Sequence, residues 1–325
     1  MIISQTPLRI SLLGGGSDFR EFFREHGGAV LAFGLNKFVY VILKDRFDTD
    51  VYVNYSVKEI VHTADQVKHD LVREAMRMTG ISQGVEITTL ADVPSGGTGL
   101  GSSSSITVGL LNAMYAHQGI QVGAERLSQE ACEIEINVLG KPIGYQDQYL
   151  AGHGGLCFIE FGPGGGVSVE RIAPAPEVKA QLASSLMLFY THRTRSADGI
   201  LADQRSRISE RLDQLGFLRD LAYRGRDALG SGDPDAIGGL LHENWMLKKG
   251  LSERISDPEI DRMYEAARAA GALGGKIAGA GGGGFLVLYV PLGKQAAVRA
   301  AMNGFRELPS GLSRDGSRII FNIND

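Results

Sequence analysis

The chain has 325 residues, 43% of them hydrophobic, enough for a sizeable core in one or two domains. A formal net charge of −4 argues against a broad basic surface, and so against nucleic acid as a partner. No stretch approaches the ~18 uninterrupted apolar residues of a membrane helix, and the start MIISQTPLRI lacks signal-peptide features. Two cysteines, Cys132 and Cys157, are too few for a disulfide scaffold or a thiolate zinc site. The expectation is a soluble, reduced, cytoplasmic protein without a membrane partner; oligomeric state stays open, a homodimer included.

In chain order, Arg9–Leu13 reads as extended, and Ala29–Phe33 with Phe38–Leu43 reads as two paired strands. Val85–Leu90 is β-rich and runs into a glycine loop. Ile106, Leu110 and Met114 recur every four residues, and Leu127, Ala131, Ile134 and Val138 make a 4-3-4 seam, so two helices follow. The run GPGGG at 162–166 reads as a linker, dividing the chain into 1–166 and 167–325. Beyond it, Leu186–Tyr190 is a buried-type strand and 198–230 is helical in composition. Ser256-Asp257-Pro258-Glu259 is a capping box that opens a helix. Strands at Lys276–Ala278 and Phe285–Val290, a helix near 294–303 and a strand at Ile319–Ile323 complete a β-α-β-β-α-β order. That order suggests a ferredoxin-like unit.

Glycine is the compositional oddity, with 44 copies in clusters. Between a strand and a helix, PSGGTGLGSSSS supplies bare backbone and hydroxyls where helix N–H groups lack partners, a geometry that binds phosphate. The serines can also cap the helix. It is not a Walker loop, because no lysine lies between Pro94 and Gln121. It is not a dinucleotide fingerprint either, because a second helix follows where a strand is needed.

PSGGTGLGSSSS resembles the nucleotide loop of the GHMP kinases. TPLRISLLGGGSDF at 6–19 resembles their N-terminal substrate motif, and KIAGAGGGGF at 276–285 their third motif. The resemblance implies an α+β, two-domain GHMP kinase fold: an N-terminal domain like domain 2 of ribosomal protein S5, and a ferredoxin-like C-terminal domain. Within the family, EIEINVLGKPIGYQDQY, GGGSDF and THRTRSADGILADQ look most like the kinases of D-glycero-α-D-manno-heptose 7-phosphate. Those phosphorylate the anomeric hydroxyl on the bacterial GDP-heptose route. Galactokinases carry Glu-His where this chain has Gly15-Gly16, which argues against galactose; fucose-type kinases are the runner-up.

The resemblance places ATP on Pro94, Gly96, Gly97, Gly99, Leu100, Gly101, Ser102, Ser103, Ser104 and Ser105, with a magnesium ion as cofactor on Ser103 and Glu135. Helix geometry agrees on the carboxylate: Glu135 borders the apolar seam, while Glu133 points toward water. Asp147, read as lying on a loop beyond Pro142 and Gly144, resembles the catalytic aspartate, and Arg9 the arginine beside it. Gly14, Gly15, Gly16, Ser17 and Asp18 would admit the sugar, although Asp18 could instead cap a helix. Gly281 and Gly282 would close over it. Arg193, Arg195 and Ser196 would meet the sugar's phosphate, with Arg195 favoured of the two arginines. The presence of Asp147, Arg9, Ser103 and Glu135 together favours an enzyme over a non-catalytic relative that retained the scaffold.

Overall fold

The computed structural model describes residues 1–94, 96–193 and 196–323. β1 (Ile2–Leu13) and β2 (Gly28–Asp45) pair along most of their length, with α1 (Arg20–His26) in the connection. The two strands expected at 29–33 and 38–43 are therefore one. The turn-like Gly34-Leu35-Asn36-Lys37 does not reverse the chain. Pro7 faces Phe38 and Leu8 faces Leu35, so Asn36 and Lys37 bulge from a continuing strand. β3 (Val51–Asn54) and β4 (Lys58–Val61) form a hairpin. Helix α2 (Asp70–Thr79) follows, and β5 (Val85–Ala91) inserts between β2 and β3.

α3 (Ser102–His117) and α4 (Ala124–Cys132) bury Leu110, Met114, Leu127 and Ala131, as their spacing predicts. α4 then widens into a π-helical turn, Glu133–Val138, with Leu139 N donating to Ile134 O at 2.9 Å. The wider turn carries Val138 out of the apolar seam, leaving it 53% exposed. α5 (Gln146–His153) leads to β6 (Leu156–Phe161), which pairs with both β2 and β7 (Val167–Arg171). Phe161 faces Val167, so GPGGG is a hairpin turn and not a linker, and residues 167–171 still belong to the larger sheet.

After α6 (Pro176–Ser185) comes β8 (Leu186–Tyr190), followed by α7 (Ala197–Ser206), α8 (Leu212–Gly230), α9 (Ala236–Lys249) and α10 (Pro258–Ala269). β9 (Gly274–Ile277), β10 (Phe285–Tyr289) and α11 (Gln295–Ala301) complete this half, and the sheet order is β8-β10-β9. The strand expected to be its fourth, β11 (Arg318–Asn322), instead pairs with β1 and covers an otherwise open edge of the larger sheet. The place beside β8 is taken by extended residues 306–308. There Tyr190 N donates to Arg306 O at 2.9 Å and Leu308 N to Leu188 O at 2.8 Å. The ferredoxin-like order thus survives with a different segment as its last strand.

The cap of α10 also shifts by one residue. Asp257, not Ser256, accepts from the N–H groups of Glu259 and Ile260, each at 3.0 Å, while Ser256 bonds to Asp261. One apolar core joins the halves, with Leu8 and Leu12 of β1 in the same cluster as Leu218, Trp245 and Leu288. Among the described residues no helix is long and apolar enough to cross a membrane.

Candidate active site

The pocket lies at the seam between the halves, where β1, the turn at 15–18, α5, α7, α9 and the turn after β9 meet. Arg9 is nearly buried on β1, and Asp147 stands in the first turn of α5, not on a loop. The guanidinium grips the carboxylate with two parallel bonds, Nε to Oδ1 at 2.6 Å and Nη2 to Oδ2 at 2.5 Å. Its remaining nitrogen, Nη1, donates to Gly99 O, and the Arg9 backbone N–H donates to Leu100 O at 2.9 Å. One side chain therefore ties the expected base to the expected phosphate loop.

Asp18 faces the same pocket and is buried. It does not cap α1; it accepts from Gly16 N at 2.9 Å, from Gln146 N at 3.2 Å and from Gln146 Nε2 at 3.0 Å. Burial pushes its carboxyl above the usual range, and the negative charge of Asp147 adds to the rise, while the backbone bond from Gly16 opposes it. A side chain on Gly144 would collide with this carboxylate, its Cβ falling 2.0 Å from Asp18 Oδ2. Gly15 and Gly16 line the pocket with Asp18, but Gly14 and Ser17 do not. Ser17 Oγ donates to Gly14 O at 2.8 Å and to Ala29 O at 3.0 Å, fixing the turn against β2.

The glycine loop packs backbone to backbone on the third motif. A Cβ on Gly99, whose φ is +74°, would lie 2.4 Å from the carbonyl oxygen of Ala278. Gly101, in left-handed conformation, is the N-cap of α3, so no serine caps this helix by its side chain. Ser105 Oγ donates to Pro7 O at 2.8 Å and, like Ser104, faces the interior. Ser102 Oγ is buried without a hydrogen-bond partner among the described residues. Pro94 lines a separate cavity with Thr98, Tyr190 and Phe285, and a Cβ on Gly96 would meet nothing within 4 Å among the described residues. Gly97 and Leu100 complete the loop, Gly97 with positive φ and Leu100 fully buried.

Ser103 and Glu135 meet, Oγ donating to Oε1 at 2.5 Å, and Gln148 Nε2 donates to Oε2 at 2.7 Å. Glu135 is buried on the π-helical turn, whereas Glu133 is exposed and bonds to Asn137. Burial raises the Glu135 carboxyl above its ordinary value, and the charge of Lys141 opposes the rise. The oxygen donors beside the loop fit a magnesium ion, which takes hard oxygen ligands and commonly one or two carboxylates together with substrate phosphates. Lys141 is a residue the loop motif does not contain. Its Nζ donates to Ser103 Oγ at 3.0 Å and lies 3.6 Å from Glu135 Oε1. The loop thus has a lysine after all, delivered from the GKPIG segment.

Other expected positions resolve differently. Arg193 pairs with Asp257 and with Glu259, the latter at 2.6 Å, so its guanidinium is engaged at the start of α10. Arg195 lies outside the described residues, and Ser196 is the N-cap residue of α7, without a side-chain cap bond. From the third motif, Gly279 and Ala280 line the pocket. Gly281 and Gly282 instead pack on Ile255, with Gly282 N donating to Ile255 O at 2.7 Å. Gln204 and Lys248 line the pocket too. Gln204 sits within a quoted motif, but Lys248 carries no local pattern that would single it out.

The chain matches the GHMP kinases N terminal domain over residues 55–155 and the GHMP kinases C terminal model over 226–306. It is 31% identical over 314 residues to the D-glycero-alpha-D-manno-heptose 7-phosphate kinase of Campylobacter jejuni, covering 92% of each chain. It is 25% identical to the bifunctional fucokinase/GDP-fucose pyrophosphorylase of Arabidopsis thaliana, over 87% of this chain and 29% of that protein. Among solved structures, a D-glycero-D-manno-heptose 1-phosphate kinase from Bacteroides thetaiotaomicron superposes with a TM-score of 0.83 at 25% identity, covering 100% of both chains. With these matches, and with the Arg9–Asp147 pair set against a glycine-rich loop, the chain belongs to the GHMP kinase family and is a sugar kinase.

Proposed function

We propose that the protein transfers the γ-phosphate of ATP, with magnesium, to the anomeric 1-hydroxyl of a sugar phosphate. D-glycero-α-D-manno-heptose 7-phosphate is the proposed substrate, giving the 1,7-bisphosphate for bacterial GDP-heptose biosynthesis. The observation that carries this reading is Arg9 holding Asp147 by two bonds while reaching Gly99 O in the phosphate loop. A sugar hydroxyl seated between Asp18 and Asp147 would stand beside the loop that cradles the phosphates. Asp147 accepts the hydroxyl proton as its oxygen attacks, and Arg9 keeps the carboxylate aimed and offsets developing charge. Ser103 and Glu135 would hold magnesium, which neutralises charge on the transferring group. Lys141 adds positive charge at the same edge of the loop.

With Arg193 engaged by carboxylates, Arg195 is the proposed contact for the 7-phosphate. Similarity to a fucokinase supports free fucose as the second reading. The test is ADP release with Mg·ATP against heptose 7-phosphate, fucose, galactose and mannose. The expected result is the highest kcat/KM on heptose 7-phosphate. A higher value on a free sugar overturns the substrate assignment, and no release with any sugar favours a non-catalytic binding protein.

A further inference from the structure

Two lysines are buried around the sugar pocket, and neither has an ion pair among the described residues. Lys276, in β9, is 1% exposed and donates to Leu12 O at 3.1 Å. It does not line the pocket, and it ties the third motif to the first. Lys248, near the end of α9, is 5% exposed and does line it, together with Arg9, Asp18 and Asp147. Its Nζ donates to Gly279 O at 2.5 Å, which uses one of the three N–H donors an ammonium carries. A buried ammonium is costly unless its remaining donors are satisfied. A neutral donor would tether Gly279 at lower cost.

The pocket's other charged groups sharpen the point. Asp18 and Asp147 only accept while ionised, and both nitrogens of Arg9 that touch Asp147 are engaged by it. A sugar presents hydroxyl and ring oxygens that need donors as well as protons that need acceptors. We propose that Lys248 is a further sugar-binding residue, whose ammonium donates to an oxygen of the acceptor sugar opposite the carboxylate of Asp18. This rests on the sugar-kinase reading and adds to it a specific donor.

The charged groups facing Lys248 are Asp18 and Asp147, which favour its protonated form, and Arg9, which opposes it; Lys276 is the other cation nearby. Burial outweighs the carboxylates and brings the Lys248 ammonium down to about 8. Sugar affinity should therefore be full below that value and fall as pH rises through it.

The experiment measures kcat and both KM values for the wild type, Lys248→Met and Lys248→Arg, from neutral to alkaline pH, on the best sugar from the substrate panel. Lys248→Met should raise the sugar KM by about ten- to hundred-fold, the loss expected for a charged hydrogen bond, with the ATP KM within about two-fold. Wild-type affinity for the sugar should fall above pH 8 or so, and Lys248→Arg, which stays charged, should abolish that fall. Equal rises in both KM values would make Lys248 a mere tether for the Gly279 turn and overturn the inference. So would an unchanged sugar KM, or an alkaline fall that persists in Lys248→Arg. Should Lys248→Met not fold, the pH profile of Lys248→Arg decides. Wild-type turnover across the panel tests the sugar-kinase reading separately.

Discussion

Two stretches of this chain, GGTGLG at 96–101 and GPGGG at 162–166, look alike in composition and serve opposite ends. In the first, the neighbours require glycine: a Cβ on Gly99 would strike the carbonyl of Ala278, and one on Gly101 would come within 2.9 Å of the Arg9 side chain. In the second, a Cβ on Gly164 or Gly166 would meet nothing within 4 Å among the described residues, and the run simply reverses the chain between β6 and β7. Bare backbone becomes a site only where other elements close against it. The same contrast holds for Glu135 and Glu133, and for Arg9 and Arg193: identical residue types, with their surroundings deciding which one can act.

The largest expected effect breaks the loop itself. Gly99→Ala must relieve both a positive φ and a backbone collision, which together cost about 2–4 kcal/mol. Thermal unfolding and the KM for ATP should both show the loss. Gly166→Ala should stay within about 0.5 kcal/mol of wild type. Similar behaviour of the two variants would erase the distinction between the clusters.

Asp147→Asn keeps the shape of the side chain but removes its charge and basicity. kcat should fall by roughly 10²-fold or more, with sugar and ATP binding largely retained. Unchanged turnover would take Asp147 out of the mechanism. Glu135→Gln should raise the magnesium requirement by roughly ten-fold, and Glu133→Gln should leave it alone. A reversed pair of results would move the metal to the exposed face of the π-helical turn.

Much of this was legible in the sequence because it is local. The loop, α3 and the inward placement of Glu135 rather than Glu133 follow from residue type and periodicity within short windows. Periodicity failed where geometry departed from an ideal helix, as at Val138, which the π-helical turn expels from the seam. It failed again at Asn36-Lys37, where a bulge mimics a turn. What could not be read was assembled by the tertiary fold. Lys141 reaches Ser103 across 38 positions, Gln148 reaches Glu135 from the next helix, and Lys248 enters the pocket from the other half of the molecule. The strand switch of β11 is of the same kind, because its alternation is compatible with either sheet and only the open edge of β1 decides.

The smallest expected effect concerns Arg193, which has the right side chain for a phosphate but the wrong company. Asp257 and Glu259 both face its guanidinium, and recruiting it to a substrate would break both of these ion pairs. Its backbone carbonyl, which accepts from Gly284 N at 2.8 Å, is untouched by side-chain truncation, so the third motif should keep its place. Arg193→Ala is therefore expected to cost at most about 1 kcal/mol of stability, as for a solvent-screened ion pair, and to leave the KM for the sugar phosphate within about two-fold. Arg195→Ala should raise that KM ten-fold or more, since a charged hydrogen bond to phosphate is worth roughly 1.5–3 kcal/mol. A comparable rise in Arg193→Ala would mean that its guanidinium leaves Asp257 and Glu259 when substrate arrives, and the contrast with Arg9 would then separate a permanent partner from a recruited one.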